Sequence, residues 1–490
     1  MPGRPSGRGV LAVVLAAVFF SFSLPQALVN PVLPQLQAEL QISQGLAAWV
    51  VTAYLLSATV STPVLGRLGD LHGRDRVLTA TLVVLAVGSL VAAVAPGIGT
   101  MIVGRVLQGA GSGVLPLAFA IVRDETPPAK LAGAIGATAA MSAAGGGVGL
   151  VLAGPLVDLL GIRSLFWIPL VMTVLVAVAA KFVIPPSRTR EPGAISWPAT
   201  VLLAGWLTAA LLPLAQAGRW PTSVTVGLLA ASVVLMAGWV KVERLSPSPL
   251  VDLRLMRVPA VWVSNAISML MGFALFAVFG FLPVFLQTSP AVGYGFAATV
   301  TEAGLLLVPM TVMMFLAGLV AARLTTRYGA RLMFVSSSAL NVVALLVLAL
   351  LHDHRWQVLL AMGLLGTAMG TAFTVMSTVI ATSVPAGRTG LANGVNANVR
   401  TLGGALGAAL VGSIITSHTT TGGAPAEVGY TYGFLALAAA GLVAVAVAFA
   451  TPRRATPGGV HGSPVETGFR ATARAGTKDV LIEQRRSAQD

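Results

Sequence analysis

Residues 66–76 read Gly-Arg-Leu-Gly-Asp-Leu-His-Gly-Arg-Asp-Arg, between apolar runs at 47–66 and 77–95. The charges of a 30-residue neighbourhood are gathered into one short turn. Gly66 and Gly73 permit close backbone approach and positive φ. Asp70 suits a helix N-terminus, whose partial positive charge favours a carboxylate. Arg74 and Arg76 can hydrogen-bond carbonyls at a helix end. The reading is a polar turn joining two long apolar helices.

Working outward, the rest of the chain is poor in such charges. Only 9% of 490 residues are Asp, Glu, Lys or Arg, and 56% are hydrophobic; a soluble domain carries roughly 25% charged residues. The solvent for this chain is a bilayer. A span takes about 20 apolar residues to cross roughly 30 Å of hydrocarbon, and fourteen such runs can be traced. The first, residues 10–30, follows Arg4 and Arg8 as a signal peptide would, but it exceeds a normal h-region. Twelve spans would keep the same parity. The two runs on either side of Gly218-Arg219-Trp220-Pro221 decide for fourteen.

Basic residues orient the spans, because cytoplasmic loops retain Lys and Arg. With the N-terminus inside, 25 of the 30 basic residues fall in the cytoplasm. Arg163, Arg219 and Arg355 fall outside, while Arg105 and Arg400 lie within apolar runs. Both termini are therefore expected in the cytosol. The net charge of +14 is read through this topology, with no nucleic-acid partner expected. The basic residues of 451–490 are dispersed among Pro, Gly, Ser and Thr, which reads as a disordered tail. Absence of cysteine excludes disulfides and thiolate chemistry, and the five histidines show no metal spacing, so no metal or cofactor is expected.

The 66–76 turn resembles the major facilitator superfamily signature G-x-L-x-D-x-x-G-R-x-R/K, with Gly66, Leu68, Asp70, Gly73, Arg74 and Arg76 in place. A degenerate copy, 256 residues later, places Ala322, Leu324, Thr326, Gly329 and Arg331 in the same frame. The resemblance implies an all-α integral membrane fold of 14 transmembrane helices. It has a cytosolic N-terminus (1–9), six-helix bundles (10–184 and 259–450) and, between them, a linker with an inserted helix pair (185–258). It also implies a conformational-switch role for the loop.

Further segments narrow the likeness to the fourteen-span drug:proton antiporters. Arg105, inside an apolar run, is expected to face a cavity or a partner, the alternative being a snorkelling arginine; with Gln108, Gly109 and Gly111 it resembles R-x-x-Q-G-x-G, for which proton-transfer roles have been proposed. Gly145, Gly149 and Gly154 resemble the antiporter motif G-x-x-x-G-P-x-x-G-G, with Leu150 and Ala153 as departures; close packing alone would also use them. Leu24, Val29, Asn30, Leu33 and Pro34 match a span-one segment whose aspartate is here Pro25. Gln26 and Asn30 share a face and either line a polar path or cap a bent helix end. Asn393, Asn396 and Arg400 form one helical stripe expected to face a cavity.

The family implies export of amphipathic small molecules by alternating access, energised by a proton gradient, from a monomer surrounded by lipid in a bacterial cytoplasmic membrane. A narrow-specificity metabolite carrier is the alternative, and a membrane enzyme or sensor a remote one. All sixteen acids can be placed, and none is expected at the midplane of a span. Asp158 and Glu302 are expected to be half-buried, leaving Asp70, Asp158 and Glu302 as candidates for titration.

Overall fold

The computed structural model describes residues 5–42, 44–187, 194–215, 220–246, 250, 253–385, 389–418 and 425–452. The expected disordered tail beyond 452, the turn at Gly218 and Arg219, and the side chain of Asn30 lie outside the described residues.

The described chain is helical, in keeping with a solvent that cannot satisfy open backbone groups. Its first half comprises α1 (Pro5–Val29), α2 (Leu33–Leu40), α3 (Gln44–His72), α4 (Arg74–Ala93), α5 (Ile98–Ala110), α6 (Val114–Glu125), α7 (Pro128–Leu160) and α8 (Ser164–Val183). Next come α9 (Trp197–Ala215) and α10 (Thr222–Leu245). The second half comprises α11 (Pro259–Gln287), α12 (Val300–Leu306), α13 (Val308–Tyr328), α14 (Ala330–Leu350), α15 (Arg355–Ser383), α16 (Thr389–Ser417) and α17 (Glu427–Ala448). Thirteen segments are long and apolar enough to cross a membrane, and α9 contributes a shorter apolar stretch, Trp197–Pro213.

Two expected spans are broken. The fourth divides into α5 and α6 at a 3-10 turn, Gly111–Gly113, where a Cβ on either glycine would lie within 3 Å of Leu85 or Leu65 side-chain atoms. The tenth divides into α12 and α13 at Leu307, just before Pro309, whose missing N–H cannot continue the ladder.

The halves repeat one packing pattern. α1 packs on α7 as α11 packs on α16, α3 on α5 as α13 on α15, and α4 on α8 as α14 on α17. The turns correspond in detail. Gly73 (φ +105°) and Gly329 (φ +84°) each separate two helices, and each donates its N–H to the carbonyl four residues back, Gly69 and Thr325 respectively. α9 and α10 pack on each other, with Trp206 and Trp239 6.1 Å apart, and α9 touches both α3 and α16. One inserted helix thus bears on both halves.

The acids differ from expectation. Asp158 is exposed, because it follows the apolar part of α7. Among the described residues the buried carboxylate is Glu243, 3% exposed near the end of α10, where it accepts the Leu250 N–H at 3.0 Å. A backbone partner beyond the helix end makes that burial tolerable.

Backbone proximity sets the α11–α16 seam. A Cβ at Gly407 would stand 2.0 Å from the Phe273 carbonyl oxygen, whereas one at exposed Gly280 meets nothing within 4 Å. Gly407→Ala is expected to destabilise the protein by about 1–3 kcal/mol through overpacking. Gly280→Ala should be neutral or stabilising by up to ~1 kcal/mol. Melting of the two variants in one detergent checks the difference.

Candidate functional site

A cavity of about 220 Å³ lies between the halves. From the first half α1 supplies Ser23 and Gln26, α3 supplies Tyr54 and Thr59, and α7 supplies Ser142. From the second, α11 supplies Phe276 and Phe279, α15 supplies Phe373 and Ser377, and α16 supplies Asn393, Asn396 and Arg400. The wall is aromatic and polar, with no carboxylate among the lining residues. Its volume is below the ~300–1,000 Å³ usual around a drug-sized ligand.

The α16 stripe does face this space, but its members differ chemically. Asn396 is committed to α11: its amide donates to Asn265 Oδ1 at 2.9 Å and to the Ser264 carbonyl at 3.2 Å, and its Oδ1 accepts from Ser268. Asn393 donates back to the Thr389 carbonyl at 3.1 Å. The Arg400 guanidinium lies 4.6 Å above the Phe373 ring, a contact that compensates part of its lost hydration. Asn398, which the stripe omits, donates to the Thr59 carbonyl at 2.8 Å and so ties the halves together.

Arg105, expected to face the cavity, is held behind it and is 1% exposed. Its Nε donates to the Val50 carbonyl at 2.9 Å, and its Nη1 to Gln108 Oε1 at 2.7 Å and the Pro25 carbonyl at 3.4 Å. The Tyr54 ring stands 4.6 Å from its guanidinium carbon and forms the cavity wall in its place. Gln108 passes the network on to Ser89 Oγ at 2.8 Å. The physical reason is donor capacity: a guanidinium presents five N–H groups, and the carbonyls that satisfy them belong to α1 and α3. This side chain joins α1, α3 and α5, and Gln108 extends the network to α4.

The glycines of α7 divide their work between the halves. A Cβ at Gly145 would lie 2.5 Å from the Phe20 carbonyl and one at Gly149 2.8 Å from Ala27 Cβ, both on α1. At Gly154 it would meet Thr301 of α12 at 2.8 Å. Thr301 also donates to Asp158 at 3.2 Å, while Glu302 caps α12 by accepting the Thr299 N–H at 3.0 Å and lies 3.8 Å from Arg355. Asp158 and Glu302 thus sit at the end of the helices far from the 66–76 turn.

At the turn itself, Arg74 donates to Asp70 Oδ1 from Nη2 at 2.8 Å and from Nε at 3.1 Å, and it also pairs with Asp124 of α6. Asp70 therefore binds a side chain, and the acid in the first turn of α4 is Asp75, which accepts the Ser187 N–H at 3.0 Å. The tight contact in the motif is at Gly69, where a Cβ would meet Leu117 at 2.1 Å; at Gly66 the nearest atom is 3.7 Å away. Arg76 is exposed. On the same end, Arg123 reaches the Ala381 carbonyl and Thr389 across the halves. Asp124, Arg123 and Asn398 carry no spacing signal that the sequence could have offered, since each acts across at least 50 residues.

The Major Facilitator Superfamily model matches residues 15–298 and 267–484. The chain belongs to that superfamily. An uncharacterized MFS-type transporter of Mycobacterium tuberculosis is 29% identical over 357 residues, which cover 71% of this chain and 50% of that protein. The chain thus spans about half the length of that relative. The cephamycin export protein CmcT of Amycolatopsis lactamdurans is 29% identical over 496 residues, covering 94% of this chain and 98% of CmcT. The human organic anion transporter MFSD10 shares the fold, with a TM-score of 0.63 at 16% identity over 91% of this chain and all of that one. Membership fits the thirteen candidate spans and makes the chain a multi-pass membrane protein.

In this superfamily member the Arg74 cluster brings charges of α3, α4 and α6 into contact. Asp70 is 12% exposed in its side chain and Asp124 is 37% exposed. Asp70→Asn is expected to cost up to about 3 kcal/mol, as for a buried pair. Asp124→Asn should cost less than about 1 kcal/mol, because solvent screens an exposed partner. Parallel thermal melts test this ordering, which would fail if Asp124→Asn were the more damaging change.

Proposed function

We propose that the chain exports amphipathic small molecules across a bacterial cytoplasmic membrane, with both termini in the cytosol, by alternating access driven by proton entry. The observation that carries the reading is a cavity to which both halves contribute aromatic rings together with amide and hydroxyl groups. Such a wall accepts an apolar body and a few hydrogen-bonding groups, the composition usual for small-molecule sites. Rocking of two repeated halves about such a cavity is the established way for this architecture to alternate access. The similarity to a protein named for cephamycin export, which extends over nearly the whole of both chains, supports the outward direction. A monomer suffices, because both sides of the cavity come from one chain.

The wall charge is positive. Arg400 lines the cavity and no carboxylate does, so neutral and anionic compounds are the favoured substrates over organic dications. Proton coupling then falls to acids outside the cavity, with Asp70, Asp158 and Glu302 the candidates.

The test is transport by the purified chain in proteoliposomes against neutral, anionic and dicationic amphiphiles, with and without an imposed pH gradient. Export of neutral or anionic compounds stimulated by the gradient is expected. Flux indifferent to collapse of the gradient would remove proton coupling, and preferential export of dications would overturn the assignment of substrate class.

A further inference from the structure

Most polar groups on the wall of the central cavity hold one another or a carbonyl. Ser23 and Ser142 are 2.6 Å apart, Thr59 donates to the Leu55 carbonyl at 2.7 Å, and Asn393, Asn396 and Asn398 donate as described above. Arg400 differs. Among the described residues no oxygen accepts a hydrogen bond from its guanidinium, and no carboxylate pairs with it. Its position is set by apolar contacts instead. A Cβ at Gly272 of α11 would lie 2.8 Å from Arg400 Cγ, so the stem lies against a helix with no side chain at that place. The guanidinium rests over the Phe373 ring, and Phe276, packed against Gly404 one turn along α16, lines the same space. The five N–H donors are thereby held in place without an acceptor. From the other half, α1 adds Gln26, whose amide likewise makes no hydrogen bond among the described residues.

A guanidinium within a span is costly unless it has a partner, and a ring face offsets only part of its lost hydration. Among the described lining residues Arg400 is the one that carries a charge. We infer that the missing acceptor is carried in by the transported compound, and that the central cavity binds aryl carboxylates. Arg400 holds the carboxylate through two parallel N–H donors, Phe373 and Phe276 flank the aromatic body, and Gln26 adds a donor from the opposite half. This rests on the export reading and narrows its substrates from neutral and anionic amphiphiles to one class. The fork of a guanidinium matches the two oxygens of a carboxylate in one plane. Charge balance favours a carboxylate over a phosphate monoester, which carries about −1.5 to −2 at neutral pH. The second negative charge would meet no further cation among the described lining residues. The size agrees as well, since about 220 Å³ exceeds the ~150 Å³ that encloses a benzene ring.

Equilibrium binding to the full chain in detergent separates charge from shape. Naphthalene carboxylate and naphthalene carboxamide share their rings and differ in the charge of the head group. The carboxylate is expected to bind about ten- to a hundredfold more tightly, the weight of charge-assisted hydrogen bonds. Arg400→Gln should weaken the carboxylate by the same factor and leave the carboxamide within about threefold. Arg400→Lys, which keeps the charge and loses the fork, should fall between. Equal binding of the two probes by the unaltered protein would overturn the inference, and that comparison needs no variant. So would absence of carboxylate binding, or a loss in Arg400→Gln that is the same for both probes, the mark of a structural role. Inorganic sulfate displacing the carboxylate as effectively as unlabelled carboxylate does would also overturn it, because the aromatic wall would then contribute nothing. Binding is read without transport. Failure of the export reading shows separately, as absent or inward flux in proteoliposomes, whatever the ratio of the two affinities.

Discussion

Lipid tails solvate leucine about as well as leucine solvates itself, so in a bilayer the burial of apolar side chains contributes little to holding helices together. What remains is close contact between backbones, and polar groups that would be costly against hydrocarbon. This protein uses the first at the α1–α7, α11–α16 and α13–α15 seams. On α16, Gly403 and Gly407 seat against carbonyls of Met269 and Phe273, while on α15, Gly366 and Gly370 seat against those of Met310 and Met314. Spacing by four places each pair on one helix face. The seams are equivalent in kind in the two halves, as α7 meets α1 through Gly145 and Gly149. Dispersion between backbones a methyl group closer than usual is the attraction these contacts supply.

Buried Arg74 and Arg105 and half-buried Arg400 show the second contribution, and each is satisfied by different chemistry. Arg74 has two carboxylates, Arg105 has carbonyls, a glutamine and a tyrosine face, and Arg400 has a phenylalanine face. The differences order their mobility. Ion pairs across helices give alternative states a cost that depends on separation, whereas a guanidinium holding carbonyls on separate helices fixes those helices in one arrangement. Arg105 therefore acts as a rigid joint inside the first half, and Arg74 as a charged contact whose second partner, Asp124, is open to water. Arg400 has its charge facing the space where a compound would sit.

How much of this was legible in the sequence follows from the range over which each feature acts. Span number, the polar turn and its degenerate copy are local patterns, and Gly73 and Gly329 fulfil them with positive φ and the same hydrogen bond. The Asn393–Asn396–Arg400 stripe was also legible, since helical periodicity alone places those residues on one face. Arg105 was misplaced for a reason periodicity cannot reach: its face of α5 meets α3 and α1, and only packing shows that Tyr54 intervenes. Gly66 and Gly69 changed places as the close contact because the decisive atom, Leu117 Cδ2, lies on another helix. Glu243 escaped notice because one group it binds is a backbone N–H beyond the end of its own helix.

A cavity without a carboxylate also constrains the coupling. In a transporter where proton and substrate compete for one acidic residue, binding of either excludes the other directly. Here Asp70 lies at one end of the helices, and Asp158 and Glu302 at the other, each in a contact outside the cavity wall. A proton taken up at such a place can affect substrate affinity only by changing the relative stability of two arrangements of the halves, and linkage requires the reverse effect to be equal. The hydrogen bond from Thr301 to Asp158 belongs to one such arrangement, since Thr301 lies in the opposite half and the bond exists only while the far ends are together.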